Sequence, residues 1–457
     1  MVNIPRNDIE QYLRPGKRAH LVGIGGVSMR PLGLVLRSMG MTITGSDMNA
    51  SVSTDELIEK GIQVSIGHSA ENIVGADCVI RTAAAHNDNP EIAAARAAGI
   101  PIFERAQAWG CIMREYRNAI CVSGTHGKTT TTSMLTHIFM EAGKDPTVMI
   151  GGVLPLLGAG HRVGNSDTII MESCEYCNSF LNFFPTAAVI LDIEADHLDF
   201  FKDLEDVKKS FRAFAELVPE GGLIAANGDD ANTMDALRGL SVKTFGLAET
   251  NDVYGTGFSE DWREFDVICG GERYCHLQLG TIGRHNALNA LAACLVAHEF
   301  GIDAGSVERA LAAFCGAGRR MEKKGEYHGA DVYDDYAHHP GELHALLEAV
   351  RSMGYKRVIC AFQPHTYTRT KALFSDFVRE LRTVDIAVLT DIYAAREQDK
   401  YGVSSRDLAN EVPGSIYCPS LPETAACLAR LAQPGDILLT VGAGDIYKAG
   451  EELLKMK

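Results

Sequence analysis

Gly124, Thr125, His126, Gly127, Lys128 and Thr129, continued by Thr130, Thr131 and Thr132, place two glycines, a lysine and a row of hydroxyls in one short stretch. Glycines let successive backbone N–H groups converge on an anion, the lysine adds a mobile positive charge, and the Thr129 hydroxyl can ligate Mg²⁺. This is chemistry for gripping nucleotide phosphates. The general phosphate loop, GxxxxGK[ST], is incomplete, because Val122 stands where its first glycine belongs. In isolation the motif also describes a glycine turn with a chance lysine. Its surroundings favour the loop: the apolar run 119–122 precedes it, and Met134, Leu135, Ile138 and Phe139 recur at helical spacing after it. The pattern predicts a buried strand, the loop, and a threonine-capped amphipathic helix.

Other polar groups gather behind apolar runs. Glu172 and Glu175 follow the expected strand 168–171, and Asp192, Glu194, Asp196 and His197 follow the expected strand 187–191. In a doubly wound sheet the carboxyl ends of the strands meet where the phosphate loop opens, so these acids can face nucleotide-bound Mg²⁺; the plain alternative is solvated loop acids. His197 is the odd member, since Mg²⁺ prefers oxygen and imidazole suits softer metals. His285, Asn286 and Asn289 lie in segment 283–293, with both amides on one helix face, suited to an adenine edge or to an ordinary polar face. Arg319 and Arg320 offer paired guanidinium groups for phosphoryl oxygens, or a solvated basic turn. Asp334, Asp335, Tyr336, His338 and His339 form one cluster before a helix, and His365, Arg369 and Lys371 form another; each single histidine also fits a cap or a surface position.

Positioning these groups takes three α/β units. Segments 18–26 and 42–47 read as the strand, glycine turn, helix and strand that open a Rossmann-like unit. Gly23 and Gly25 fit GxGxxG, Ser28 replaces the third glycine, and Asp47 lies about where a ribose-binding acid is expected. A second series follows the phosphate loop, with strands expected at 168–171, 187–191 and 223–227, and a third has strands at 331–333, 357–362, 385–389 and 436–441. The expected architecture is α/β in three domains: N-terminal Rossmann-like at 1–118, central P-loop ATPase-like with a mostly parallel sheet at 119–317, and C-terminal Rossmann-like at 318–457.

A chain of 457 residues exceeds one ordinary core, and 46% hydrophobic with 22% charged residues is a globular composition. The net charge of −16 disfavours nucleic acid and anionic membranes. No apolar stretch is long enough to insert in a membrane, and the first residues lack a signal-peptide core, so a cytoplasmic location is expected. Twelve cysteines, scattered through apolar segments, read as reduced core residues. Cys174 and Cys177 form a CxxC pair without the second pair of a zinc site.

Along essentially its whole length the chain resembles the Mur ligase family. GTHGKTTT, NSFLNFFP leading to IEADHLDFF, GRHNALNALAA, and DDYAHHP followed by FQPHTYTRT occur in the family's order, with GIGGVSM near the N-terminus. The resemblance implies an ATP-dependent ligase that joins L-alanine to the lactyl carboxylate of UDP-N-acetylmuramate through an acyl phosphate, as a monomer or weak homodimer. It implies Mg²⁺, in one or two ions, with Mn²⁺ able to replace it. By position, Lys128, Glu175, His197 and Arg320 would carry the catalysis. Thr129, Glu175 and His197 would hold metal. Gly124, Thr125, His126, Gly127, Lys128, Thr129, Thr130, His285, Asn286, Asn289, Arg320 and Asp335 would bind ATP. Gly25, Gly26, Val27, Ser28, Ser46, Asp47, His68 and Thr82 would bind the UDP-sugar, and Tyr336, His338, His339, His365 and Arg369 would border the amino-acid pocket.

The chain departs from many relatives at Tyr176 and Cys177, where they have Ser and Asp, at Asp192, where they have Asn, and at Thr366, where they have Arg. Sister ligases use a carbamylated lysine; Lys209 lies in the general area and reads as a surface residue. Two rival functions share most motifs: a peptide-recycling ligase acting on the same UDP-sugar, and a regulator that binds UDP-sugar and ATP without making a bond.

Overall fold

The computed structural model describes residues 9–456 apart from 199 and 396, so the first part of the leader reading lies outside the described residues. Three sheets organise the chain. The first is wholly parallel, in spatial order Gln63–Ile66, Thr42–Asp47, Arg18–Val22, Cys78–Arg81 and Ile102–Glu104. Chain order reverses between Arg18–Val22 and Cys78–Arg81, the switch point where an open α/β sheet leaves a crevice at its carboxyl edge.

The central sheet has ten strands. Its parallel core runs Val253–Thr256, Lys243–Gly246, Leu223–Asn227, Ala187–Ile190, Asn118–Ser123, Thr168–Glu172 and Thr147–Leu154. Strands Glu264–Cys269 and Glu272–Gln278 add an antiparallel hairpin at one edge, and Ala159–Arg162 closes the other. The hairpin was not anticipated, although both its strands alternate buried and exposed positions in the period of two that marks a half-solvated sheet. In the phosphate-loop strand every residue from Ala119 to Ser123 is buried, because the sheet is covered on both faces. Ile120 and Val122 pack with the helices Lys128–Glu141 and Arg284–Glu299, while Ala119 and Cys121 point into the opposite layer.

The helix Lys128–Glu141 differs from expectation in two ways. Gly127, at φ 79°, occupies its N-cap position rather than a threonine. It is also buried around most of its circumference rather than amphipathic, with Thr129 through Thr136 inside. Its hydroxyls tolerate burial by bonding one turn back: Thr132 donates to Lys128 O, Ser133 to Thr129 O and Thr136 to Thr132 O, each at 2.7 Å.

The third sheet is ordered Glu322–Tyr327, Ala330–Asp335, Asp436–Val441, Arg357–Phe362, Ile386–Leu389 and Ile416–Tyr417, parallel except for its first hairpin. All twelve cysteines are free thiols, nine of them buried. Among the described residues no helix is long and apolar enough to cross a membrane.

Candidate active site where the three units meet

The loop after strand Asn118–Ser123 turns on Gly124 and Gly127, both at positive φ. A side chain at Gly127 would meet Asn289 Oδ1 at 2.4 Å, so glycine is required by space as well as by backbone. Lys128 Nζ donates to the carbonyls of Gly124 and Thr125 and to Glu175 Oε2 at 3.1 Å. Burial alone would lower the lysine's pKa, but Glu175 and neighbouring anionic groups outweigh it and hold the ammonium charged. Asp192 fixes the loop from the next strand: its Oδ1 accepts from His126 N at 2.8 Å, and burial pushes its carboxyl up to about 6.

Oxygen donors converge beside the lysine. Thr129 Oγ1 donates to Glu172 Oε2 at 2.8 Å, and Gly151 N donates to the same oxygen at 2.7 Å. A Cβ at Gly151 would sit 2.4 Å from Glu172, so this glycine makes room for the carboxylate. Glu175 is 2% exposed and its neighbours are cationic or imidazole groups: Lys128, and His197 Nε2 at 3.7 Å from Oε1. A hydroxyl, two carboxylates and a flanking imidazole form a donor set suited to a hard divalent cation beside phosphates. His197, at φ 54°, and Cys177 and Asn178, at φ 54° and 55°, place three non-glycine residues in the left-handed region around this centre.

A cavity of about 460 Å³ opens from the loop between the central and C-terminal units. Thr130, His285, Asn286, Asn289, Arg320 and Asp335 all line it. The two asparagines face different partners: Asn289 Oδ1 accepts from Thr131, whereas Asn286 Nδ2 donates to Ile282 O. Burial and Arg320 bring His285 down to about 4, so its ring is neutral at pH 7. Arg320 Nη1 approaches Glu342 Oε1 at 3.4 Å. Arg319 is not its equivalent, because it is spent inside the unit on Asp334 and the carbonyls of Gly442 and Gly444. Asp335 accepts backbone N–H bonds from Met321 and Ala337, and burial raises it to about 6.

A second cavity, about 280 Å³, lies beyond His197 and is lined by Tyr176, Asp196, His365, Thr366 and Arg369, with Glu397 at its rim. Arg369 bridges the units by gripping Asp196, Nη2 to Oδ1 at 2.9 Å and Nε to Oδ1 at 3.1 Å. Burial would raise Asp196, but Arg369 and His197 hold it well below the usual carboxylate range. Burial lowers His365 to about 4 and His338 to about 3, leaving two neutral rings edge to face with their centroids 5.7 Å apart.

The amino-acid group expected from sequence divides. Tyr336, His338, His365 and Arg369 stay together, but His339 turns to the phosphate loop, 4.9 Å from the His126 ring. It also caps helix Pro340–Ser352, accepting from Gly341 N at 3.2 Å, the alternative its sequence position had left open.

The sugar group divides likewise. Gly26, Val27, Ser28 and Thr82 line a cavity of about 220 Å³ together with Gly151, Glu172 and Cys174 of the central unit. Gly25 and Asp47 bond to each other at 2.9 Å, closing the glycine turn. Ser46 and His68 join the buried Glu91, at 2.6 and 3.0 Å.

Glu342, Glu397 and Arg105, the last lining the cavity beside Val27 and Thr82, carried no expectation from sequence. Glu342 had a signal, as the N3 glutamate of a capping box starting at His339; Glu397 had none. Lys209 is exposed on helix Leu204–Ala215, as expected of a surface lysine.

Comparison with known proteins matches the chain in three consecutive pieces. Residues 18–117 match the Mur ligase family catalytic domain, 122–297 the Mur ligase middle domain, and 319–444 the Mur ligase glutamate ligase domain. A UDP-N-acetylmuramate–L-alanine ligase of Caldanaerobacter subterraneus is 44% identical over 457 residues, 98% of each chain. One from Acetivibrio thermocellus is 44% identical over 96% of each. The crystal structure of UDP-N-acetylmuramate-alanine ligase from Thermotoga maritima superposes with a TM-score of 0.80 at 28% identity, covering 96% of this chain and 98% of that one. A murein peptide ligase from Psychrobacter arcticus, 23% identical with a TM-score of 0.72, shares the fold. The chain belongs to the Mur ligase family.

Proposed function

We propose that this protein is an ATP-dependent ligase joining L-alanine to the lactyl carboxylate of UDP-N-acetylmuramate, a step of peptidoglycan precursor synthesis. The observation that carries it is the cavity shared by Val27, Ser28 and Thr82 of the first unit with Glu172 of the central one. A UDP-sugar seated on the first sheet's carboxyl edge would present its far end beside the phosphate loop. The activity named for the two relatives at 44% identity supports the same choice.

The lactyl carboxylate attacks the γ-phosphorus of ATP, the bond to the β-phosphate breaks, and ADP leaves. The ammonium of alanine sheds a proton to solvent and the free amine attacks the acyl carbon. The acyl C–O electron pair departs with phosphate, which takes up the amine's second proton. Such chemistry asks chiefly for positioning and charge neutralisation. Lys128 would steady the phosphates, Arg320 the transferring phosphoryl group, and His285, Asn286, Asn289 and Asp335 the nucleotide. Mg²⁺, or Mn²⁺ in its place, would neutralise phosphate charge, held by Thr129, Glu172 and Glu175, with His197 toward a second ion. Domains at 1–118, 119–317 and 318–457 would take the UDP-sugar, ATP and the amino acid in turn. The protein would act as a monomer or weak homodimer. The substrates suit the cytoplasm.

Phosphate release with UDP-N-acetylmuramate and ATP tests this, adding L-alanine or the tripeptide L-alanyl-γ-D-glutamyl-meso-diaminopimelate in turn. L-Alanine should stimulate release by about tenfold or more, a difference of ~1.4 kcal/mol in barrier. Stimulation by the tripeptide alone would assign peptide recycling, and binding without release would assign a regulator.

A further inference from the structure

His126 of the phosphate loop, Glu194 behind the next strand and His339 at the head of helix Pro340–Ser352 bring three ligand atoms within 4.8 Å of one another. Glu194 Oε2 lies 3.2 Å from His126 Nε2 and 3.7 Å from His339 Nδ1. These separations bracket the roughly 3.3 Å between ligands of a tetrahedral ion with bonds near 2.0–2.1 Å.

An independent observation marks the space between them. A Cβ on Gly341 would lie 3.1 Å from Glu194 Oε2 and 3.4 Å from both His126 Nε2 and His339 Nδ1. Any side chain at this position would crowd all three donors at once, so glycine keeps the space they share clear. The far nitrogens, His126 Nδ1 and His339 Nε2, are buried without hydrogen-bond partners, and Glu342 Oε1 stands 3.6 Å from the first. That is where a ligating histidine carries its outer carboxylate. An ion here would displace the Gly341 N–H bond to His339 Nδ1. Its fourth position would face the nucleotide cavity, which His126, Glu194 and Gly341 also line.

We infer that His126, Glu194 and His339 form a site for a borderline divalent cation of the Zn²⁺ class, bridging the phosphate loop to the C-terminal unit. Two imidazoles and one carboxylate select such an ion over Mg²⁺, which keeps to oxygen donors. The site is separate from the Thr129, Glu172 and Glu175 cluster and does not depend on which substrates the enzyme joins. Bound metal would pin two units together beside the loop and so slow turnover.

The test is Co²⁺ titration of the full-length protein in excess Mg²⁺, followed by visible absorption. One equivalent of Co²⁺ should give the intense bands of a low-coordinate site, and one equivalent of Zn²⁺ should remove them. Glu194→Gln should weaken Co²⁺ binding about tenfold or more; the Glu194 side chain is 44% exposed, so the fold should survive the change. Gly341→Ala, whose methyl would crowd all three donors, should weaken it similarly, while His197→Ala should leave it within about twofold. Absent bands, indifference to Glu194→Gln, or loss with His197→Ala instead would overturn the assignment.

Discussion

Helix Arg105–Met113 joins the first two units through Trp109, Ile112 and Met113, which share one buried apolar cluster with Leu21 and Ile43 on one side and Phe180, Phe211 and Phe214 on the other. Gly110 lets that helix press so close to the central unit that a Cβ would meet Asn182 O at 1.9 Å. The C-terminal unit is attached differently. Among the described residues its apolar clusters draw only on positions from 321 onward, and across the seam lie charges: Arg369 on Asp196, His339 near Glu194, His126 near Glu342. An apolar seam has no favourable solvated alternative and stays shut. A polar seam trades protein partners for water at small cost, so motion belongs there. The phosphate loop sits against the ionic seam, and the cavity of Val27, Ser28 and Thr82 against the apolar one.

The largest expected effect breaks chemistry while sparing the fixed seam. Lys128→Ala should lower phosphate release by about three orders of magnitude, ~4 kcal/mol of barrier, with UDP-sugar affinity nearly unchanged in calorimetry. Loss of sugar binding as well would mean that the two sites are not separately built. Next is Trp109→Ala, which empties a large fully buried side chain from the apolar seam and should cost about 3–5 kcal/mol in denaturant unfolding. A loss below ~1 kcal/mol would show that this seam does not bind the units.

Asp196→Asn removes the charge that Arg369 grips. In a fixed interior such a change costs about 3–5 kcal/mol, but a seam that opens can hydrate the arginine and should lose no more than ~1 kcal/mol. X-ray scattering with an ATP analogue and UDP-N-acetylmuramate should then show a larger radius of gyration than wild type. An unchanged radius with a large stability loss would mean that the polar seam is as rigid as the apolar one.

The smallest effect lies within the first unit. Burial would raise Glu91, but the His20 ring 3.6 Å away, with Ser46 and Asn72, outweighs it and brings Glu91 down to about 2; His68 also faces the carboxylate. Its folded pKa lies below the unfolded value of 4.5, so its stabilisation is present above 4.5 and is lost as pH falls toward 2. Glu91→Gln should flatten that limb of the stability profile in acid titrations monitored by circular dichroism. A limb as steep as wild type would place the acid sensitivity elsewhere.

Much of this was legible along the chain. The phosphate loop, the acids after two strands and the helix 284–299 are local patterns, because strand, turn and helix periodicities are written in adjacent residues. The antiparallel hairpin at 264–278 was legible too, in its alternation, and was not drawn. What spacing could not give was direction. Arg319 and Arg320 are neighbours with the same side chain, yet one is consumed by Asp334 and the other lines the cavity beside the phosphate loop. His338 and His339 likewise part, one toward His365 and the other toward His126.

The sequence by itself determined the three α/β units, the phosphate loop and its lysine, since each is announced by strand, turn and helix patterns in adjacent residues. Only the tertiary structure decided that Val27 and Glu172 share a cavity, that His126, Glu194 and His339 bring their donor atoms together, and that one seam is apolar and the other ionic. Those arrangements join segments dozens to hundreds of residues apart, and their geometry follows from how whole layers pack.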